Sequence, residues 1–250
     1  MSGERVLVAG ATSAIAAAVA RRYAEGGADL VLAARDAGKL AAVADDLRVR
    51  GTGRVETFAL DMTDVARQAE LLAAAQAALG RIDVVLAAWG TLPDQGECER
   101  DVAAALAAWA ANGTSVVAFL AQAANVLEAQ RGGCLAVITS VAGVRGRRNN
   151  YTYGAAKAGV IAFLQGLRAR LHGAGVAVVD LRPGPVDTPM TAHLRKGPLF
   201  IDAERAGALI HGAIGARRDV AYIPGYWRWI MLAIALVPEG VMKRLNLSAG

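Results

Sequence analysis

Short apolar runs alternate with segments of helical length along the whole chain. The segments between the runs predict helices at 13–26, 37–49, 64–79, 97–110, 112–131, 151–172 and 202–215. Seven runs have the length and composition of buried strands: 5–9, 29–34, 54–60, 82–88, 134–140, 176–181 and 219–223. These runs are nearly all apolar instead of alternating, as expected for a parallel sheet that helices cover on both faces. Strict β-α alternation therefore predicts a doubly wound α/β domain.

Length, charge and cysteine content narrow the class further. A chain of 250 residues is long enough to bury the core of a single domain. The net charge of +5 comes mostly from scattered arginines, and without a basic run interleaved with aromatics no nucleic-acid partner is expected. Cys98 and Cys134 are far apart, which predicts a reducing compartment, no disulfide framework and no metal site. The start "MSGERVLVAG" lacks the layout of a signal peptide, so a cytoplasmic location is expected.

Polar residues and glycines follow the predicted strands. In a doubly wound sheet of the Rossmann type, ligands bind outside the carboxyl ends of the strands. The residues at those ends are Gly10 with Thr12 and Ser13, Arg35, Asp61, Gly90, Ser140, and Pro183-Gly184 with Thr188. The sequence thus predicts one site along a single edge of the sheet.

The first strand-to-helix turn, "VAGATSAIAAAVA" (8–20), has part of a dinucleotide-binding pattern. Such a turn directs backbone N–H groups and a helix N-terminus at a pyrophosphate. Gly10 is present, but Ala14 and Ala16 stand where two further glycines are expected. Thr12 and Ser13 offer hydroxyl contacts, although an ordinary strand-to-helix turn would fit the same residues.

The ends of the second and third strands bear on the choice of nucleotide. NAD-binding domains place an acidic residue after the second strand to bind the ribose 2′-hydroxyl, whereas this chain has Arg35. A guanidinium pairs well with a 2′-phosphate, which favours NADP(H) over NAD(H); a solvated helix-start residue is the alternative. Asp61, in "LDMTD", suits a hydrogen bond to the adenine amino group or an N-cap for the next helix.

Tyr153 and Lys157 are four residues apart and share one face of a predicted helix. A tyrosine has a pKa of about 10, and a nearby ammonium favours the phenolate, which predicts that the pKa of Tyr153 is lowered toward general acid/base use. Ser140, after the fifth strand, can donate a hydrogen bond to a carbonyl oxygen. A lone Tyr-x-x-x-Lys pair arises by chance on surface helices, so it is the combination with Ser140 that indicates catalysis.

The chain resembles the short-chain dehydrogenase/reductase family over residues 5 to 224. The resemblance rests on "GATSAIA", "LDMTD", "AAWG", "ANGTS", "ITSVAG", "YTYGAAKAG" and "RPGPVDTPM". It implies a homodimer or homotetramer in which Ser140 polarises a carbonyl, Tyr153 transfers the proton, Lys157 binds the nicotinamide ribose and Asn112 holds a water of the proton relay. The cofactor-binding residues it implies are Gly10, Thr12, Ser13, Ile15, Arg35, Asp61, Met62, Gly90, Lys157, Pro183, Gly184, Val186 and Thr188.

Within that family, three stretches resemble reductases of the decaprenylphosphoryl-2-keto-ribose type, whose substrate is a 2-keto sugar on a polyprenyl phosphate. They are "SVAGVRGRRNNYTYGAAKAG", "RPGPVDTPMTAHL" and "YIPGYWRWIMLAIALVPEGVMKRL". The expected activity is hydride transfer between NADP(H) and such a ketone or secondary alcohol. The alternatives are a reductase of another lipophilic ketone or 3-oxoacyl thioester, and a nucleotide-sensing or scaffold protein without turnover.

Two further regions are candidates for substrate or membrane contact. Trp89 stands where the family commonly has alanine and is expected to narrow the pocket. Arg147 and Arg148 are expected to bind a phosphate of the substrate, although a solvated or subunit-contact loop would have the same composition. Residues 225–250 are predicted to form an apolar helical tail after a domain of residues 1–224. Trp residues, an apolar run and basic residues within 226–245 suit peripheral membrane contact, and packing on the domain or a partner subunit is the alternative.

Overall fold

The computed structural model describes residues 3–245. Its main sheet has seven parallel strands in the order β3-β2-β1-β4-β5-β6-β9, and β7 pairs with β8 in a small second sheet. The strands are β1 (Arg5–Ala9), β2 (Asp29–Ala34), β3 (Val55–Ala59), β4 (Val84–Ala87), β5 (Gly133–Ile138), β6 (Val176–Pro183), β7 (Val186–Asp187), β8 (Ile201–Asp202) and β9 (Val220–Ile223). All seven predicted strands therefore exist, with bounds that differ by one or two residues.

The helices lie on both faces of the sheet, so the predicted Rossmann-type α/β fold is confirmed. They are α1 (Ala14–Glu25), α2 (Ala37–Val49), α3 (Gln68–Leu79), α4 (Gln95–Arg100), α5 (Val102–Trp109), α6 (Ser115–Gln130), α7 (Tyr151–Leu171), α8 (Ala203–Gly215), α9 (Trp227–Ala235) and α10 (Glu239–Met242).

Two apolar layers enclose the sheet. The helices α1, α2 and α8 pack on one face with residues such as Val19, Leu40 and Ile210, and α3, α6 and α7 pack on the other with residues such as Phe119 and Leu164. Neighbouring residues of one strand point to opposite layers, which explains why the central strands β1, β2 and β4 are almost entirely apolar.

The strand order reverses between β1 and β4, both of which pair with neighbours in parallel register. The chain moves outward from β1 to β2 and β3, then returns to pair β4 on the opposite side of β1. The connections leaving β1 and β4 therefore diverge and open a crevice at the carboxyl edge, which is where a doubly wound sheet binds its ligand.

The predicted helix 97–110 is wrong in detail, because it is two helices. Asp101 has an extended backbone (φ −126°) that ends α4, and its carboxylate accepts the N–H of Ala103 as the N-cap of α5. A π-helical turn, Ala110–Thr114, then joins α5 to α6. The resulting helical segment Val102–Gln130 is long and apolar enough to cross a membrane by length and composition alone, but α6 packs against the sheet as a core helix does.

The tail begins as a helix that packs on the domain. Trp227 and Met231 of α9 are buried in a small cluster with Val141. Val141 directly follows Ser140, which lies just beyond the carboxyl end of β5. The division into residues 1–224 and a tail 225–250 stays a prediction, and residues 246–250 lie outside the described part of the chain. The expected apolar character of the tail is visible in α9, whose other face exposes Trp229 and Leu232.

Candidate active site

A cavity of about 540 Å³ opens at the carboxyl edge of the sheet. Residues that follow six of the seven parallel strands, β1 to β6, line it. The cavity therefore gathers, in one place, side chains from the catalytic and nucleotide-binding sets that the sequence predicts.

The first turn provides room for a phosphate group. Gly10 has a φ of +85°, and a Cβ atom there would lie 2.7 Å from the backbone nitrogen of Trp89, so only glycine fits. Ser13 precedes α1 but makes no side-chain capping bond, and Thr12, Ser13 and Ile15 line the cavity. The N-terminus of α1 is thus left open to an anion, as dinucleotide binding requires.

The two alanines of this turn have different surroundings. Ala14 lines the cavity, whereas Ala16 is fully buried in the layer between α1 and the sheet. Close packing of α1 is maintained elsewhere, because Gly207 of α8 approaches Ala18 so tightly that an added Cβ atom would lie 2.6 Å from the Ala18 methyl. The methyl of Ala16 is therefore accommodated by the core.

Arg35 and Asp61 lie together at the outer end of the cavity. The Arg35 guanidinium is 3.9 Å from the Asp61 carboxylate, and the Arg35 side chain is 77% exposed. One Asp61 oxygen accepts the backbone N–H and the hydroxyl of Thr63, at 2.9 and 2.7 Å, and the first of these bonds is the main cause that holds the pKa of Asp61 below its usual value. The alternative of an N-cap for Asp61 is wrong, since α3 begins at Gln68 and Asp61 closes a turn instead. Met62 also lines this end.

Ser140, Tyr153 and Lys157 converge where β5 ends beneath α7, as the sequence predicts. The ammonium of Lys157 donates a hydrogen bond to the Ile138 carbonyl at 3.2 Å and lies 5.8 Å from the centre of the Tyr153 ring. Ser140 accepts the N–H of Ala142 at 3.1 Å, which orients its hydroxyl. All three side chains line the cavity.

The electrostatics of Tyr153 differ from the sequence expectation. Enclosure by protein raises the pKa of the phenol above its usual value, and the Ser140 hydroxyl and the Arg147 charge act to lower it. Burial lowers the pKa of Lys157 to about 8, opposed by the nearby Asp180 carboxylate. The pKa of Tyr153 is therefore shifted upward, opposite to the predicted direction, and the charge that acts to lower it is that of Arg147.

Asn112 is fully buried on the π-helical turn and does not line the cavity. Its side-chain oxygen accepts the N–H of Thr91, and its amide group donates to the Ala108 carbonyl and the Thr91 hydroxyl. A Cβ atom added to Gly90 would lie 2.6 Å from that oxygen and 3.6 Å from the Lys157 ammonium. Asn112 thus holds the loop after β4 in place behind the site.

The loop after β6 forms the opposite wall. Pro183, Gly184, Val186 and Thr188 all line the cavity. The indole of Trp227 packs so closely behind Gly184 that an added Cβ atom would lie 2.0 Å from its nitrogen. Glycine is therefore required at this position, and the start of the tail supports the wall.

Of the three residues predicted to bind substrate, Trp89 and Arg147 line the cavity and Arg148 does not. Trp89 lines the cavity, but its indole N–H donates to Ser115 and its ring contacts Phe119 edge-on, so it is anchored in the core. Arg147 is 8% exposed and lines the cavity. Arg148 is exposed and lies outside the cavity wall, contrary to its predicted role beside Arg147.

Sequence reasoning missed several residues of the site. Thr91 binds Asn112, and Asn150 lines the cavity next to Tyr153 in space. Thr139 donates to the buried Asp180 carboxylate at 2.5 Å, and Asp180 is paired with Arg182 at 2.6 Å. The only sequence signal for them is their position beside Ser140, Tyr153 and Pro183, because polar residues near a strand end have no characteristic spacing of their own.

Comparison with known proteins identifies the family. A model of the family described as short chain dehydrogenase matches residues 4–198. The chain is 38% identical over 240 residues to the uncharacterized oxidoreductase Rv2073c of Mycobacterium tuberculosis, covering 96% of each chain. It is 33% identical over 223 residues to the cis-4-hydroxycyclohexanecarboxylate dehydrogenase of Sinomonas cyclohexanicum, covering 87% of this chain and 86% of that one.

A solved structure has the same fold. A variant of actinorhodin polyketide ketoreductase crystallised with NADPH superposes with a TM-score of 0.81 at 23% identity, over 90% of this chain and 98% of that one.

The fold and the site together define a nicotinamide-dependent oxidoreductase that acts on CH–OH groups. The chain belongs to the short-chain dehydrogenase/reductase family.

We expect burial of Lys157 to be measurable in the stability of the protein. The folded-state pKa of Lys157 is about 8, below its usual value of 10.5. Between these two pH values the unfolded chain binds more protons than the folded chain, so the free energy of unfolding increases as the pH rises. Lys157→Met removes this contribution. The unfolding free energy of wild type minus that of Lys157→Met should rise by up to about 3 kcal/mol from pH 8 to 10.5 in urea titrations. A difference that stays constant across this range would contradict the burial of a charged Lys157.

Proposed function

We propose that the protein is an NADP(H)-dependent carbonyl reductase or alcohol dehydrogenase that interconverts a ketone and a secondary alcohol. The observation that carries the proposal is the convergence of Ser140, Tyr153 and Lys157 in one cavity that also contains the open N-terminus of α1. The same convergence argues against a scaffold protein without turnover. A scaffold does not require a costly buried lysine, Lys157, beneath the half-buried phenol of Tyr153.

The roles of the three residues follow from their chemistry. A nicotinamide held between the turn after β1 and the loop after β6 would supply a hydride to the carbonyl carbon in the direction of reduction. Ser140 donates a hydrogen bond to the carbonyl oxygen and stabilises the charge that develops there. Tyr153 gives its proton to the nascent alkoxide. Lys157, whose ammonium lies 5.8 Å from the centre of the Tyr153 ring, would donate hydrogen bonds to the hydroxyls of the nicotinamide ribose.

Tyr153→Phe tests the assignment. We expect this substitution to lower the rate of NADPH-dependent reduction by about 100-fold or more, because a general acid contributes at least this much. The test substrates are a set of ketones that includes cyclohexanone and a 3-oxoacyl thioester. Tyr151→Phe is a matched control, since Tyr151 lies on the same helix but is exposed and outside the cavity wall. Activity that survives Tyr153→Phe, measured as the rate of NADPH oxidation, would overturn the assignment.

The preference for NADP(H) rests on Arg35. Its guanidinium follows β2, lies at the cavity and is largely exposed, with no carboxylate closer than 3.9 Å among the ion pairs of residues 3–245. It is therefore available for bidentate contact with a 2′-phosphate.

Arg35→Gln should raise the KM for NADPH roughly 10- to 100-fold, as expected for loss of a charge-assisted contact, and leave the KM for NADH nearly unchanged. Lys39→Gln is the control, because Lys39 is an exposed cation one helical turn away that does not line the cavity. Equal changes for the two nucleotides in steady-state kinetics would contradict the preference.

The substrate proposed is a ketone that carries polar and lipophilic parts, of which a polyprenyl-phosphate-linked 2-keto sugar is the leading candidate. The substrate side of the cavity combines apolar side chains, Leu92, Met190 and Leu194, with the polar side chains of Arg147 and Asn150. The similar dehydrogenase of Sinomonas cyclohexanicum is named for a cyclic alcohol that bears a carboxylate. A smaller lipophilic ketone is the alternative, because the same side chains would also accommodate it.

We propose that α9 and the residues after it contact the cytoplasmic face of a membrane. The helix is two-sided: Trp227 and Met231 are buried, whereas Trp229, Leu232 and Leu236 are 65%, 51% and 74% exposed. The cations Arg228, Lys243 and Arg244 are exposed in the same segment. An apolar face with tryptophan and flanking cations suits the interface of an anionic bilayer.

Replacing Trp229, Leu232 and Leu236 together with serine should abolish co-sedimentation with phosphatidylglycerol-containing vesicles. The buried residues of α9 are kept, so the fold and the cavity wall should persist. Val49→Ser, at the most exposed apolar residue outside the tail, is the control. Unchanged sedimentation of the triple variant would rule out the tail as the contact.

A homo-oligomer, either dimer or tetramer, is proposed from the exposed apolar side chains of α5. Val102, Leu106 and Trp109 are 73%, 64% and 42% exposed, and Tyr151 at the start of α7 is 45% exposed. Such a surface suits a subunit interface. A monomeric mass in analytical ultracentrifugation would exclude it.

A further inference from the structure

We propose that Arg147 and Asn150 form an anion-binding subsite that holds a phosphate or carboxylate group of the ketone substrate. The inference rests on the proposed reductase function and names the chemical class of its substrate: an anion with a hydroxyl or other hydrogen-bond donor beside the charged group. The turn between Ser140 and Tyr153 carries both residues.

Arg147 is a buried cation without a partner. It is 8% exposed, and among residues 3–245 its guanidinium makes no hydrogen bond and no ion pair. Its Nε–H in particular is fully buried with no acceptor. A buried charge is costly unless it is paired, so an unpaired guanidinium that lines a cavity indicates a ligand that pairs with it.

Two partly buried arginines of this region show the contrast. Arg145 donates to the Val237 carbonyl and to the Glu239 carboxylate at 3.0 and 2.6 Å. Arg182 is paired with Asp180 at 2.6 Å. The chain therefore supplies partners for the arginines on either side of the site and none, within the described residues, for Arg147.

Asn150, which lines the same cavity, has a second buried polar atom without a hydrogen-bond partner. Its side-chain oxygen is buried without a donor, its backbone N–H donates to the Arg147 carbonyl at 3.2 Å, and it lines the cavity. A ligand that satisfies both residues must offer acceptor oxygens to the guanidinium and a donor to the amide oxygen. A hydroxylated phosphate or carboxylate has both.

The subsite belongs to the substrate, because the nucleotide phosphates bind elsewhere. The pyrophosphate position follows β1 and the 2′-phosphate position follows β2, whereas Arg147 follows β5. With strands about 4.8 Å apart, β5 is roughly 10 Å from β1 and 14 Å from β2 across the sheet. Arg147 is instead close enough to Tyr153 for its charge to act on the phenol.

The test compares ketones with and without an anionic group. The pairs are 4-oxocyclohexanecarboxylate with its methyl ester, and dihydroxyacetone phosphate with dihydroxyacetone. Arg147→Gln should lower kcat/KM for the anionic member about 10- to 100-fold more than for the neutral member, because a loss that acts through Tyr153 affects both members equally. Arg148→Gln, which removes the neighbouring exposed charge, should leave both values unchanged. A polyprenyl-phosphate keto sugar in detergent micelles, assayed beside the soluble phosphate, distinguishes a lipid-linked anion from a free one.

Asn150→Asp is the second variant and does not depend on removing the arginine. The new carboxylate would pair with Arg147 and should therefore exclude anionic ketones while neutral ones are still reduced. Equal losses for Arg147→Gln on both members of a pair would mean that Arg147 acts only on Tyr153, and would overturn the subsite. An equal effect of Arg148→Gln would overturn it as well.

Binding of inorganic phosphate keeps the two proposals separate. In calorimetry, wild type should bind phosphate at least about tenfold more tightly than Arg147→Gln. If wild type binds phosphate in this way but reduces no ketone, the reductase proposal fails, and Arg147 and Asn150 remain an anion-binding site for a different ligand. If it reduces neutral ketones but Arg147→Gln leaves both phosphate binding and anionic selectivity unchanged, the subsite fails alone.

Discussion

The parallel hydrogen bonding of seven strands is the constraint on which the site depends. Because every pairing in the main sheet is parallel, all the carboxyl ends meet at one edge, and the reversal of order between β1 and β4 opens a crevice there. Residues as distant in sequence as Gly10, Ser140 and Gly184 come together only for this reason. The helices on both faces bury the central strands β1, β2, β4 and β5 almost completely.

The site contains two cations, Lys157 and Arg147, that the protein shields from water. Lys157 is 3% exposed and has a carbonyl as its hydrogen-bond partner, and Arg147 has no partner among the described residues. Burial lowers the pKa of Lys157 to about 8 and is the main cause that raises the pKa of the Tyr153 phenol.

The segment after β9 is part of this arrangement and is more than an attached tail. Trp227 packs behind Gly184 and together with Val141, so one side chain supports the loops after both β5 and β6. Arg145 binds the far end of the segment at Val237 and Glu239. The loop that carries Arg147 and Asn150 is therefore held between the sheet and α9, which explains how a surface connection keeps a buried guanidinium in place.

The sequence by itself determined the sheet and the catalytic set, because both are written in local patterns. Apolar runs of strand length predict β1 to β6 and β9, and a four-residue spacing places Tyr153 and Lys157 on one helix face. Only the tertiary structure decided the details that depend on distant contacts: Asp61 closes a turn at Thr63, Asn112 binds Thr91, and Arg147 is buried while Arg148 is exposed. Adjacent arginines look alike in a sequence, and their burial depends on which one the fold turns toward the cavity. The pKa values of Tyr153 and Lys157 were likewise set by enclosure, a property that no spacing of residues along the chain encodes.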